Sequence, residues 1–263
     1  MNKRSIATVS LSGPLDEKLR AIAACAAGLL GAANAFAAHP MLTEDPQTQG
    51  TGKFELELGQ AFARGDPLQG GRGTEFAPQL TGGAAPALDL ILRTTWLTQA
   101  PADAPAAHGW GDSLLDFKWR FHESAPVALA VRAGIDIPTG DAARGLGTGA
   151  TGYHVIGIAG WQFARVNVNA NVAYARVRQD GARSDVGAVS AAVVGPNASP
   201  WRTFIEATTV SNPDPQIAQW PAFARTGVIY TATTWLDLDL GFQARLNRSA
   251  TREVWLIGAT LRW

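Results

Sequence analysis

The chain has 263 residues, with 22 basic side chains balanced by 22 acidic ones and a single cysteine, Cys25. The even charge gives no electrostatic footprint for nucleic acid, and one cysteine supplies neither an internal disulfide nor a thiolate metal or redox centre. No uninterrupted apolar run reaches the ~20 residues that a membrane-spanning helix requires.

Lys3, Arg4, Lys18 and Arg20 precede an apolar stretch from Ala21 to Ala37, and Ala35-Phe36-Ala37 offers the small residues that a signal peptidase reads. Residues 1–37 are therefore expected to be a signal peptide, with the exported chain starting at Ala38 or His39. Ile22-Ala23-Ala24-Cys25 loosely resembles a lipoprotein cleavage box, but hardly any apolar stretch precedes it. Removing the leader leaves 18 basic against 20 acidic side chains.

Residues 38–52 are too polar and too rich in glycine and proline to form a strand, and are expected to lie in the periplasm or to fold into a lumen. The candidate binding residues of this segment are His39, Thr43, Glu44, Asp45 and Gln49. A free amine at His39 could bind copper only with a second histidine nearby, which the sequence does not establish, so no metal site is assigned.

From residue 53 to Trp263 the apolar and polar residues alternate with the two-residue period of strands. In 53–64, Phe54, Leu56, Leu58 and Phe62 oppose Glu55 and Glu57; in 112–123, Leu115, Phe117, Trp119 and Phe121 oppose Asp116, Lys118, Arg120 and His122. Residues 126–138 set Val127, Leu129, Val131, Ile135 and Ile137 against Arg132 and Asp136, and 165–177 set Val166, Val168, Val172 and Tyr174 against Asn167, Asn169 and Asn171. The clearest separation is in 234–247, where Leu236, Leu238, Leu240 and Phe242 share one face and Asp237, Asp239, Gln243 and Arg245 the other. Less cleanly divided strands are predicted over 74–82, 86–98, 153–164, 185–195, 200–210, 221–231 and 251–263, for a total of about twelve.

The connections alternate. Gly82 to Pro86, Glu123 to Pro126, Ala164-Arg165, Gly195 to Pro200 and Thr231 to Thr233 are short, whereas 65–73, 99–110, 138–150, 177–184 and 211–220 are mostly longer; 247–251 breaks the pattern by being short. Such alternation suits a single all-β, antiparallel transmembrane β-barrel over 53–263, with short turns and both termini in the periplasm and long loops outside. Trp96, Trp119, Trp161, Trp201, Trp235, Trp255 and Trp263, with Tyr174 and Tyr230, fall near strand ends or on apolar faces, as interfacial girdles require. A soluble exported sandwich or small barrel would show the same alternation with its apolar face turned inward.

In a membrane barrel of this size the lumen is narrow. The candidates to line it or form a constriction are Glu55, Glu57, Asp116, Lys118, Arg120, Arg132, Asp136, Asp237, Asp239 and Arg245, with Asp89, Arg93, Glu206, Arg225, Arg252 and Arg262 also predicted to point inward. Charges of both signs in such a space must find partners or water. The glycine-rich loop 138–150 lacks the lysine and following helix of a phosphate cradle. A lipid-modifying enzyme would need a nucleophile and a base; His108, His122 and His154 are the histidines within the barrel, His122 is the one that could approach the lumen, and no serine-centred motif accompanies it. No catalytic residue and no cofactor is assigned.

His39-Pro40, Thr43-Glu44-Asp45, Thr48-Gln49-Gly50 and Glu55-Leu56-Glu57 are followed in order by Gly111-Asp112, Lys118-Trp119-Arg120, Pro138-Thr139-Gly140-Asp141, Gly145-Leu146-Gly147, Asn171 with Tyr174, and Asp237-Leu238-Asp239-Leu240-Gly241. This ordered set, spanning nearly the whole exported chain, resembles the phenol-degradation meta-pathway outer-membrane barrel family. The chain departs from that pattern at Glu44, where the family prefers Asp, and at Ala173, where it prefers Gly. The resemblance implies a Gram-negative outer-membrane barrel involved in uptake of aromatic compounds. The expected function is passive passage of small, aromatic or otherwise hydrophobic solutes; a closed barrel that contacts partners through its loops is the alternative. The expected partners are outer-membrane lipid, the solute, and the outer-membrane assembly machinery, engaged through the last strand ending at Trp263.

Overall fold

The computed structural model describes residues 39–66, 70–102, 105–179, 182–211 and 219–263; the predicted leader, Cys25 included, lies outside these. The alternating segments form β1 (Phe54–Asp66), β2 (Gly70–Ala85), β3 (Leu88–Arg93), β4 (Trp96–Ala100), β5 (Ala107–Trp110), β6 (Ser113–Ser124) and β7 (Val127–Ile137). They continue through β8 (Gly152–Gln162), β9 (Asn167–Gln179), β10 (Ala182–Gly195), β11 (Trp201–Val210), β12 (Ala222–Thr233), β13 (Leu236–Arg245) and β14 (Glu253–Arg262).

All pairings are antiparallel, and β1 pairs with both β2 and β14, so the sheet closes on itself. Phe54 and Trp263 exchange backbone hydrogen bonds at the seam. The strand segments make a barrel of twelve staves. β3 and β4 are two halves of one stave, since both pair with β2 in succession, and β5 and β6 likewise face β4 and β3. The predicted strand 86–98 is thus interrupted at Thr94-Thr95, and the predicted strand 112–123 extends back to Ala107 across Gly111-Asp112.

Among the described residues β5 has no strand partner on its far side, because β7 stops at Ile137. The loop after β7 folds over this gap. Asp112 accepts hydrogen bonds from the amides of Gly140 (3.0 Å) and Thr148 (2.7 Å) and from the Thr148 hydroxyl (2.7 Å), and Leu146 is buried beside Gly109 and Gly111. The glycine-rich loop is therefore a cover over a short wall.

The two faces of the staves sort as a membrane requires. Leu90, Leu92, Leu115, Phe117, Val172, Ile205, Leu238, Leu240 and Ile257 are exposed on the outside, while Glu57, Asp89, Asp116, Arg132, Glu206 and Asp239 are buried inside. A soluble barrel would invert this arrangement, and a water-exposed apolar belt around the whole circumference is not tolerated in a soluble monomer. At the short-turn end Trp201 stacks on Tyr230 (4.3 Å) and Phe54 on Trp263 (5.9 Å); toward the other end Trp96 meets Trp110 edge-on (5.2 Å). These pairs form interfacial girdles.

Candidate functional site

Because successive side chains of a strand alternate between lipid and lumen, each stave carries a charged or polar row into one shared interior. Arg132 on β7 is its most enclosed cation. The guanidinium donates to Asp116 on β6 (2.6 Å), to Gln79 on β2 (3.3 Å) and to Glu44 of the N-terminal segment. His154 on β8 stands 3.1 Å from Asp116 and 3.4 Å from Asp136. Arg93 pairs with Glu75 (3.0 Å), and the Gln79 amide donates to Glu57. Near the short-turn mouth Arg262 joins Glu55 (2.7 Å) to Asp237 (2.9 Å), and Arg202 also reaches Asp237 (2.9 Å). Ionised groups removed from water need this density of opposite charge and donors.

The N-terminal segment lies inside this cylinder. His39 approaches Asp239 on β13 (2.9 Å) in a niche made by two paired glycines, Gly59 and Gly258; a Cβ on either would run into the imidazole. Arg225 on β12 donates to the Pro40 carbonyl (2.9 Å). Glu206 on β11 accepts from the Leu42 amide (2.9 Å) and from both the amide and the hydroxyl of Thr43 (2.5 Å each). Glu44 meets Arg132 and lies 3.7 Å from Lys118, and its backbone pairs with the Asn171 amide on β9 once that amide is turned to satisfy both atoms (3.0 Å each). The segment then bends back: Gln49 donates from its amide to Asp89 (3.1 Å) and from its side chain to Glu55 (3.0 Å). Met41 forms an isolated bridge and the Gly52 amide donates to the Gly83 carbonyl (2.9 Å), but the stretch between them, residues 42–51, extends no strand ladder. Side chains from opposite walls hold it across the bore.

Most of the residues predicted to line the lumen do face it. Glu55, Glu57, Asp89, Arg93, Asp116, Lys118, Arg132, Asp136, Glu206, Arg225, Asp237, Asp239 and Arg262 point inward. Arg120 sits at the short-turn mouth, donating to Gln47 (2.7 Å) and pairing with Glu123 (3.2 Å). Arg245 and Arg252 differ from expectation: both are exposed at the far rim, because β13 ends at Arg245 and β14 begins only at Glu253. His122 is exposed as well, since a register irregularity between Arg120 and His122 ends the alternation there; the strand histidine that faces the lumen is His154. In the N-terminal segment His39, Thr43, Glu44 and Gln49 reach the wall, whereas Asp45 is exposed and caps the Gln47 amide (2.8 Å). Among the described residues no group of three or more His, Cys, Asp or Glu side chains is placed to hold a metal.

Sequence reasoning missed an apolar patch of the interior. On the inward faces of β8, β9 and β10, Ile156, Ile158, Ala173, Ala175, Val186 and Ala188 cluster with Leu42 of the segment, beside the polar His154, Asn169, Asn171 and Ser190 of the same faces. The signal was the poor separation of faces in 153–164 and 185–195, which reflects strands that are largely apolar on both sides. Between the segment and the short-turn mouth lies a polar cavity of about 530 Å³, bounded by Glu57, Lys118, Asn169, Asp237 and Arg262 among others. That volume suits a small organic solute.

A model of the family described as "Putative MetA-pathway of phenol degradation" matches residues 40–263. Among solved structures, the chain is similar to an outer membrane channel from Pseudomonas putida F1, with a TM-score of 0.64 and 11% identity over 83% of this chain and 98% of that one. It is also similar to the NanC porin (TM-score 0.59, 10% identity, 78% of this chain and 98% of that one). The KdgM porin, solved in complex with disordered oligogalacturonate, gives a TM-score of 0.53 at 6% identity over 80% of this chain and 98% of that one. At these identities the likeness is one of fold, the outer-membrane β-barrel. No curated protein matches the chain.

Proposed function

Since the chain belongs to the phenol-degradation MetA-pathway family, we propose that it is an outer-membrane channel for passive uptake of small solutes, aromatic compounds among them, with its short turns and termini in the periplasm. The observation that carries this reading is a charged interior crossed by residues 42–51, which are held mainly by side chains of the wall and extend no strand ladder. Continuous main-chain pairing would make the segment part of the wall. Individual contacts to Glu206, Arg132 and Asp239 can be released without opening the barrel. The mechanism is diffusion through the lumen, with no covalent step. The porin folds of the similar structures support the reading at the level of architecture.

The purified full chain in planar bilayers should give discrete conductance steps, and in liposomes it should accelerate entry of phenol-sized solutes over protein-free vesicles. A barrel that stays sealed in both assays is a surface-interaction barrel instead.

A further inference from the structure

Leu42 projects from the crossing segment into an apolar recess formed by Ile156, Ala173, Ala188 and Val210 on four adjacent staves. Its side chain is only 4% exposed. The recess also contains Ser190 and Thr208, and the Thr208 hydroxyl, on a residue that is 6% exposed, has no hydrogen-bond partner among the described residues. The Thr208 hydroxyl therefore keeps a hydrogen bond to offer to whatever enters the recess. The leucine side chain has no polar atom to take it. A void of about 20 Å³ remains beside it, enough for one water molecule but for no organic solute while Leu42 is in place.

We propose that this recess is a binding site for a compact hydrocarbon ring carrying one hydroxyl group, and that Leu42 occupies it as an internal stand-in which the solute displaces. The apolar floor recognises the ring, and Thr208 exchanges a hydrogen bond with the solute hydroxyl. Leu42 and Thr43 both hang from Glu206, so losing the Leu42 contact loosens the first part of the crossing segment. Binding and release of the segment are thereby one event, in which the solute must prefer the released state to shift the population. The inference rests on the channel reading for its purpose but not for its test.

The test uses the full chain with Cys25→Ser and a single reporter thiol, Met41→Cys. Met41 is partly buried against Val194, Phe204 and Ile229, so its maleimide labelling rate reports release of the segment whether or not the barrel conducts. Phenol and toluene, nearly equal in shape, are the probes. The expected result is a saturable rise in labelling with phenol at concentrations where toluene does little. Thr208→Val should reduce the phenol preference about fivefold, the worth of one hydrogen bond, while Thr208→Ser should retain it. Heat-modifiable migration on gels checks that each variant is folded. Labelling that is flat in phenol, or that rises equally with toluene and is indifferent to Thr208→Val, overturns the proposal. Flat labelling in a conducting barrel rejects the recess alone, and a phenol response in a sealed barrel rejects the channel alone.

Discussion

Single side chains decide how the lumen is filled. Arg132 is fully enclosed and neutralises both Asp116 and Glu44, so its removal takes their nearest cation from two carboxylates and leaves only His154 beside Asp116 and Lys118 beside Glu44. Breaking one partner out of such a network costs about 3–5 kcal/mol. Arg132→Met should therefore lower the urea midpoint of the folded barrel, and adding Glu44→Gln to it should restore part of the loss, because one of the two carboxylate charges is then gone. An unchanged midpoint in the single variant would mean that the interior is wet enough to screen the pair. The Gly59–Gly258 pair acts at the same scale through absence of a side chain, giving the His39 ring its place beside Asp239.

Whole strands carry the membrane address. Along β13 the outward Leu238 and Leu240 are 44% and 49% exposed while the intervening Asp239 is 7% exposed, a separation that local sequence displays in full. An arginine on the lipid face costs about 2–4 kcal/mol at the bilayer midplane and about 0–1 kcal/mol near the interface. Leu240→Arg, in the middle of the strand, should thus destabilise the barrel in lipid far more than Leu236→Arg at its end, as urea titration in liposomes would measure; equal effects would argue that β13 does not span the membrane along its length. The cover loop behaves differently, since Asp112 alone makes three of its hydrogen bonds. Asp112→Ala should expose residues 141–148 to protease while the barrel remains resistant, and cleavage no faster than in the wild type would show that Leu146 packing suffices to hold the loop.

For the molecule as a whole, the twelve staves and their facing were legible because each strand declares its own period within a few residues. β8 and β10 were harder to read for a physical reason: their inner faces pack on Leu42 and each other, so both sides are largely apolar. The strand breaks at Thr94-Thr95 and Gly111-Asp112 leave no mark on the alternation. The course of residues 39–52 was the least legible feature. Glu206 binds Thr43 across 163 positions and Arg132 binds Glu44 across 88, and no periodicity encodes pairings of that span. The candidate charges could be named from the sequence, but which of them grip the segment is a property of the closed cylinder. If the lumen is a channel, residues 39–49 are what restricts passage through it. Single-channel recording of the full chain beside a chain lacking residues 39–49 should then show a several-fold larger conductance without the segment; equal conductance from two folded barrels would rule this restriction out.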